Sequence, residues 1–187
     1  MSQPLAIYVS NASVGNWTEG TLPVKVTNPF KFWPSLNWQG NNINPVFYQE
    51  GGPQYLWATP TADPVNTTTF TFIRRWNGSS TSSFTDRVIP FGTHDLVIAH
   101  AADDRYNMRL TLNGVTQNPQ GVNISTPSSH PWRNVKTYRY LVNLVPTSSI
   151  PTPVLRLITT ATNIGFNSGT TQNNPGMFTW TMQIFSR

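Results

Sequence analysis

The chain has no cysteine, which excludes disulfides and thiolate metal sites and leaves the redox compartment open. Charge is scarce, at 10% of the 187 residues, and only seven side chains are acidic. Carboxylate-pair chemistry on a glycoside needs two carboxyl groups facing each other at about 5 to 9 Å. The only adjacent acids, Asp103 and Asp104, point to opposite sides if they lie on a strand. The N-terminal MSQPLAIYVSNAS has neither a basic leader nor a long apolar stretch, so it reads neither as a secretory signal nor as a membrane-inserting span. Helical periodicity with caps is missing, as are repeats of 20 to 50 residues. The phosphate-binding glycine loops and a serine nucleophile elbow are missing too. These absences leave a non-enzymatic protein as the expectation, with no cofactor.

What is present is polar, aromatic and turn-rich. Aromatics make up 12% of the chain, and there are 16 prolines and 12 glycines. A disordered chain would be poorer in rings and richer in charge. The stretch Ala101 to Val115, AADDRYNMRLTLNGV, alternates strictly. Tyr106, Met108, Leu110 and Leu112 fall on one side, and Arg105, Asn107, Arg109 and Thr111 on the other, as in a half-buried strand. Asn113-Gly114 follows at once and predicts a two-residue hairpin.

Other strands are expected at PLAIYV (4–9), LPVKV (22–26), TTTFTFIRRW (67–76), RVIPF (87–91), HDLVIAHAA (94–102), TYRYLVNLV (137–145), VLRLITTATN (154–163) and MFTWTMQIF (177–185). Residues 11–20 read as a polar turn, 77–84 as a polar loop and 116–134 as a long loop. Residues 28–57 carry eight large rings broken by Pro29, Pro34, Pro45 and Pro53, and read as an irregular aromatic loop layer. The pattern predicts one all-β domain over residues 1–187, an antiparallel jelly-roll β-sandwich of about eight to ten strands.

The succession TFTFIRRW, IPFGTHDLVIAHAADDRYNMRLTLNG, WRNVKTYRYLVNLV, VLRLITTATNIG and NNPGMFTWTMQI, across residues 55 to 187, resembles the galactose-binding-like jelly-roll modules. The matching positions are Ala102, Asp103, Asp104, Asn113, Gly114, Trp132, Ala161, Thr162, Asn163, Pro175 and Gly176. The resemblance implies a β-sandwich of the kind that accompanies bacterial glycosidases or coats extracellular and viral surfaces. Unlike an accessory module of that kind, the sequence is not expected to carry a catalytic domain.

A sugar site combines an aromatic face with planar polar groups, which points to Trp76, Trp132 and Arg133 with Asp103 and Asp104 as a candidate glycan site. Each Trp reads equally well as a plug over the sandwich. The two aspartates are also candidate ligands for a calcium ion, which takes carboxylate and carbonyl oxygens; otherwise they cap loop amides. His94, His100 and His130 lack ligand spacing, and His100 reads as a buried core histidine. The net charge of +5 is spread along strands and makes no basic run, so nucleic acid is not the expected partner.

Two readings remain. One is a structural or adhesive surface protein of a virion or an extracellular appendage, assembling with itself or with other subunits of a particle. For that assembly, the first strand (PLAIYV) or the last (MFTWTMQIF) offers an edge for strand addition. The other reading is a carbohydrate-binding module or lectin.

Overall fold

The computed structural model describes residues 3–13, 16–25, 56–102, 104–124, 136–165, 167, 176 and 178–187. Thirteen strands are present among them. In chain order they are β1 (Ala6–Val9), β2 (Asn16–Gly20), β3 (Val24–Lys25), β4 (Leu56–Trp57), β5 (Thr68–Ser79), β6 (Val88–Pro90), β7 (Gly92–Ala102), β8 (Arg105–Leu112), β9 (Val115–Gln117), β10 (Gly121–Ile124), β11 (Lys136–Leu144), β12 (Val154–Asn163) and β13 (Phe178–Ser186). Among the described residues no helix is long and apolar enough to cross a membrane.

The strands form two sheets. The first has the order β10-β11-β7-β13-β4-β3, with β1 also on β13; the second has the order β2-β5-β12-β8-β9, with β6 beside β5. Every pairing is antiparallel except β5 with β6. Following β1, β5, β7, β8, β9, β11, β12 and β13, the chain crosses between sheets so that one reads β1-β13-β7-β11 and the other β5-β12-β8-β9. That is the jelly roll, an antiparallel two-sheet architecture.

Alternation builds the core. Leu96 and Ile98 of β7, Trp180, Met182 and Ile184 of β13, Phe72 and Trp76 of β5, Leu110 of β8, and Leu155 and Leu157 of β12 all face the interior and are buried. The last strand holds its inner face as its sequence implies. Its other face is closed as well: Thr179, Thr181 and Gln183 are also buried. Along its edges β13 lies between β7 on one flank and β1 and β4 on the other. It therefore presents no edge to a neighbour, and that expectation is corrected; β1, paired only with β13 among the described residues, does lie at an edge.

The Asn113-Gly114 hairpin is present. Leu112 pairs with Val115, and φ is 52° at Asn113 and 83° at Gly114. Both central residues are left-handed, as a hairpin turn that follows strand twist requires.

Other expectations shift. The 11–20 turn contains β2, and the 116–134 loop contains the ends of β9 and all of β10. The strand begun at Thr68 runs on to Ser79, through the residues expected to open a loop. These added strands are short edge pieces, mostly exposed except for the half-buried Trp17 and Gln117, and they raise the number above eight to ten. Of the aromatic layer at 28–57, only Leu56 and Trp57 are described, and both are buried.

Candidate functional site

The strand ends gather chemistry-bearing residues at one end of the sandwich. Ala102 ends β7 and Phe178, its register partner, begins β13; Asn163 ends β12 opposite Thr68, which begins β5; Arg105 begins β8 opposite Thr162. Ile124 and Lys136, which flank residues 125–135, are register partners.

Hydrogen bonds tie these ends together. Asp104, held at φ 55°, accepts from the Ile164 amide. Asn163 Nδ2 donates to the Asp63 carbonyl at 3.0 Å, and the Gly165 amide donates to Thr67 Oγ1 at 3.1 Å. Asp63 accepts the Val65 and Asn66 amides and the Asn66 side chain. Those bonds hold its carboxyl below the usual range. Burial moves Asp104 the other way and raises it, while the Ile164 amide and Arg105 offset part of that rise. Two buried oxygens here, Thr68 Oγ1 and Asn163 Oδ1, have no hydrogen-bond partner.

Just beneath lies His100, fully buried. Its ring stacks on Tyr106, 4.3 Å between centroids, and lies nearly parallel to Phe178 at 6.2 Å. Its Nε2 is 3.1 Å from Thr159 Oγ1. Desolvation, with a smaller contribution from Lys136, brings its pKa down to about 3, so the ring is neutral at ordinary pH. It is the buried core histidine the apolar strand predicted. His94, also buried, has Nε2 2.8 Å from the Pro90 carbonyl.

The expected glycan site does not come together as posed. Trp76 is fully buried, edge-on to Trp180 at 5.9 Å and 5.5 Å from Tyr8. Strand parity decides this: Phe70, Phe72, Arg74 and Trp76 share the inward side of β5. Trp76 is therefore a core residue, and its place in the site is corrected. Asp104 sits at the loop end. Asp103, Trp132 and Arg133 lie outside the described residues, as does His130.

Among the described residues, no three histidine or carboxylate side chains lie close enough together to hold a metal ion. The described carboxylates at the loop end cap amides, and Asp95 pairs with Arg139 at 2.7 Å.

Sequence reasoning missed Arg74. It is buried, 5.2 Å from the Trp76 ring centre and 5.7 Å from that of Trp17, and its Nη2 donates to the Asp86 carbonyl. Desolvation lowers its pKa to about 10, partly offset by Asp86, so it keeps its charge at neutral pH inside a ring cage. The available signal was its parity with Phe72 and Trp76.

The chain matches no known protein family, no curated protein and no solved structure.

Proposed function

We propose that this is a non-enzymatic structural or adhesive surface protein whose jelly roll assembles, through its sheet edges, into a larger particle at a virion or cell surface. The observation that carries this reading is the state of the edges. Among the described residues the first sheet ends in β10 on one flank and, on the other, carries β1 and the short β4-β3 pair beside β13. Beside these edges stand exposed aliphatic side chains, Val122 at 51% and Leu5 at 50% exposure. The neighbouring edge strand of the second sheet, β9, adds Val115 at 66%.

Unpaired strand edges template pairing with another chain unless charge, proline or a bulge blocks them. Apart from Pro4, just ahead of β1, none of these blocks stands on β1 or β10. Two different edges on opposite flanks make a head-to-tail contact, which closes into rings or runs on into filaments. The likeness to galactose-binding-like surface modules agrees with such a role.

The test is electron microscopy of the purified protein at micromolar concentration. Regular rings, filaments or lattices are expected, whereas a field of separate particles about one domain across would refute the reading. The carbohydrate-binding reading keeps one supporting observation, a group of arginines on the outward face of the second sheet, on a different surface from the loop end.

A further inference from the structure

The register of the second sheet collects basic side chains that the sequence scatters. On β12, Leu155, Leu157, Thr159 and Ala161 face the core and are buried, so Arg156, Ile158, Thr160 and Thr162 face out. Arg156 stands opposite Arg75 of β5 and Thr111 of β8, and Ile158 opposite Ile73 and Arg109. Thr160 stands opposite Thr71 and Asn107, and Thr162 opposite Thr69 and Arg105.

Four arginines (Arg75, Arg105, Arg109 and Arg156) therefore share one outward face. Among the described residues the outward positions of β5, β8 and β12 include no acid and no aromatic ring, and the one acid at the margin of this face is Glu19 of β2, in register with Ile73. Arg105 and Arg109 are exposed; Arg75 and Arg156 are partly exposed. Arg105 and Arg109, four residues apart on one strand, are separated by about 13 Å. The charge then steps diagonally to Arg75, which stands about 5 Å (Cβ to Cβ) across the strands from Arg156, a residue that already has an interaction within the chain. Beside the upper charges run two rows of paired hydroxyls: Thr69 Oγ1 to Thr162 Oγ1 at 2.8 Å, and Thr71 Oγ1 to Thr160 Oγ1 at 3.0 Å.

We infer that this face docks a linear acidic polysaccharide, a glycan bearing carboxylate or sulfate groups. Charge complementarity sets the sign of the partner. The guanidinium fork takes carboxylate or sulfate oxygens two at a time. The threonine rows offer donors and acceptors to ring hydroxyls. The charges extend over about 20 Å of sheet, with Ile158 and Thr111 buried between them, a spacing that suits a polymer bearing regularly spaced charges. Single-stranded nucleic acid is the poorer fit, because its bases need aromatic platforms and this face has none. The inference is independent of the edge-assembly reading, since the docking face and the sheet edges are different surfaces.

The experiment measures binding of the full chain to a heparin oligosaccharide and to a polygalacturonate oligosaccharide, with a neutral dextran and a short single-stranded DNA as comparisons, across a salt series. Expected is salt-sensitive binding to at least one acidic glycan and none to dextran. The double variant Arg105→Gln/Arg109→Gln is expected to weaken binding at least tenfold and to flatten the salt dependence, while keeping the wild-type melting temperature. The control Lys25→Gln/Arg139→Gln, which removes the same charge from the other sheet, is expected to bind within about twofold of wild type.

Three results would each overturn the inference: no binding to either glycan at low salt, an equal loss in the control, or DNA binding as tight as glycan binding. A supplementary pair, Thr69→Val/Thr71→Val, separates hydroxyl recognition from charge. A further several-fold loss in these variants supports a sugar ligand, and unchanged affinity contradicts it.

Discussion

Single residues here are decided by their backbone and their burial. A Cβ placed on Gly114 would meet nothing within 4 Å, yet φ is +83°. The cost of Gly114→Val is therefore conformational, with no clash, and is expected to be about 1–2 kcal/mol. Thermal unfolding checks it, and an unchanged melting temperature would mean the turn relaxes at no cost. His100 carries a pH dependence whose sign follows from linkage. Its pKa is about 3 in the fold and near 6.5 in the unfolded chain, so below pH 6.5 the unfolded state binds the extra proton. Stability is full above that value and falls as pH drops toward 3. Asp63 and Asp95 are held below their ordinary range and contribute little between pH 6.5 and 5, whereas Asp104, raised by burial, takes up its proton in the fold first and offsets part of the loss as pH falls. Chemical denaturation across that window should show the loss in the wild type and a flatter profile in His100→Gln. Equal slopes would show that the ring is not the group responsible.

Among the elements, the long strands were legible because each buries one face against the other sheet. In β8 and β12 the alternation of sequence is largely the alternation of burial, and Asn113-Gly114 marks where β8 turns. The short strands β2, β9 and β10 were not legible. In β9 and β10, Val115, Thr116 and Val122 are exposed, so no buried face imprints a period there, and in β2 a single ring, Trp17, packs against the core. Trp76 was misplaced because Asn77-Gly78 resembles the start of a loop, whereas β5 continues and Gly78 packs against Pro153. The basic face was hidden for another reason: its arginines come from strands far apart in sequence, and only the register joins them. The second buried face of β13 also escaped notice, and it yields a prediction. Thr181 is fully buried with its Oγ1 unpartnered. Thr181→Val removes a desolvated hydroxyl at constant shape, so its melting temperature should equal or exceed that of the wild type. A loss of more than about 1 kcal/mol would mean that the hydroxyl has a partner.

At the scale of the whole molecule, the jelly roll buries a continuous core between its two sheets, and among the described residues β1 and β10 lie at the edges of the first sheet. Chemistry-bearing side chains are absorbed into that architecture: His100 and Arg74 into the core, and Asp63 and Asp104 into capping the loop end. What stays available is surface, namely two sheet edges with exposed aliphatic residues and one basic sheet face. This distribution suits a protein that works by contact. The most direct measurement is the mass in solution by light scattering, for the wild type and for Val122→Lys, which puts a charge on the β10 edge. The account predicts a wild-type mass that is a multiple of 20.9 kDa at micromolar concentration, and a shift toward the single-chain mass in Val122→Lys with its melting temperature unchanged. A wild type that stays at 20.9 kDa as it is concentrated would contradict it.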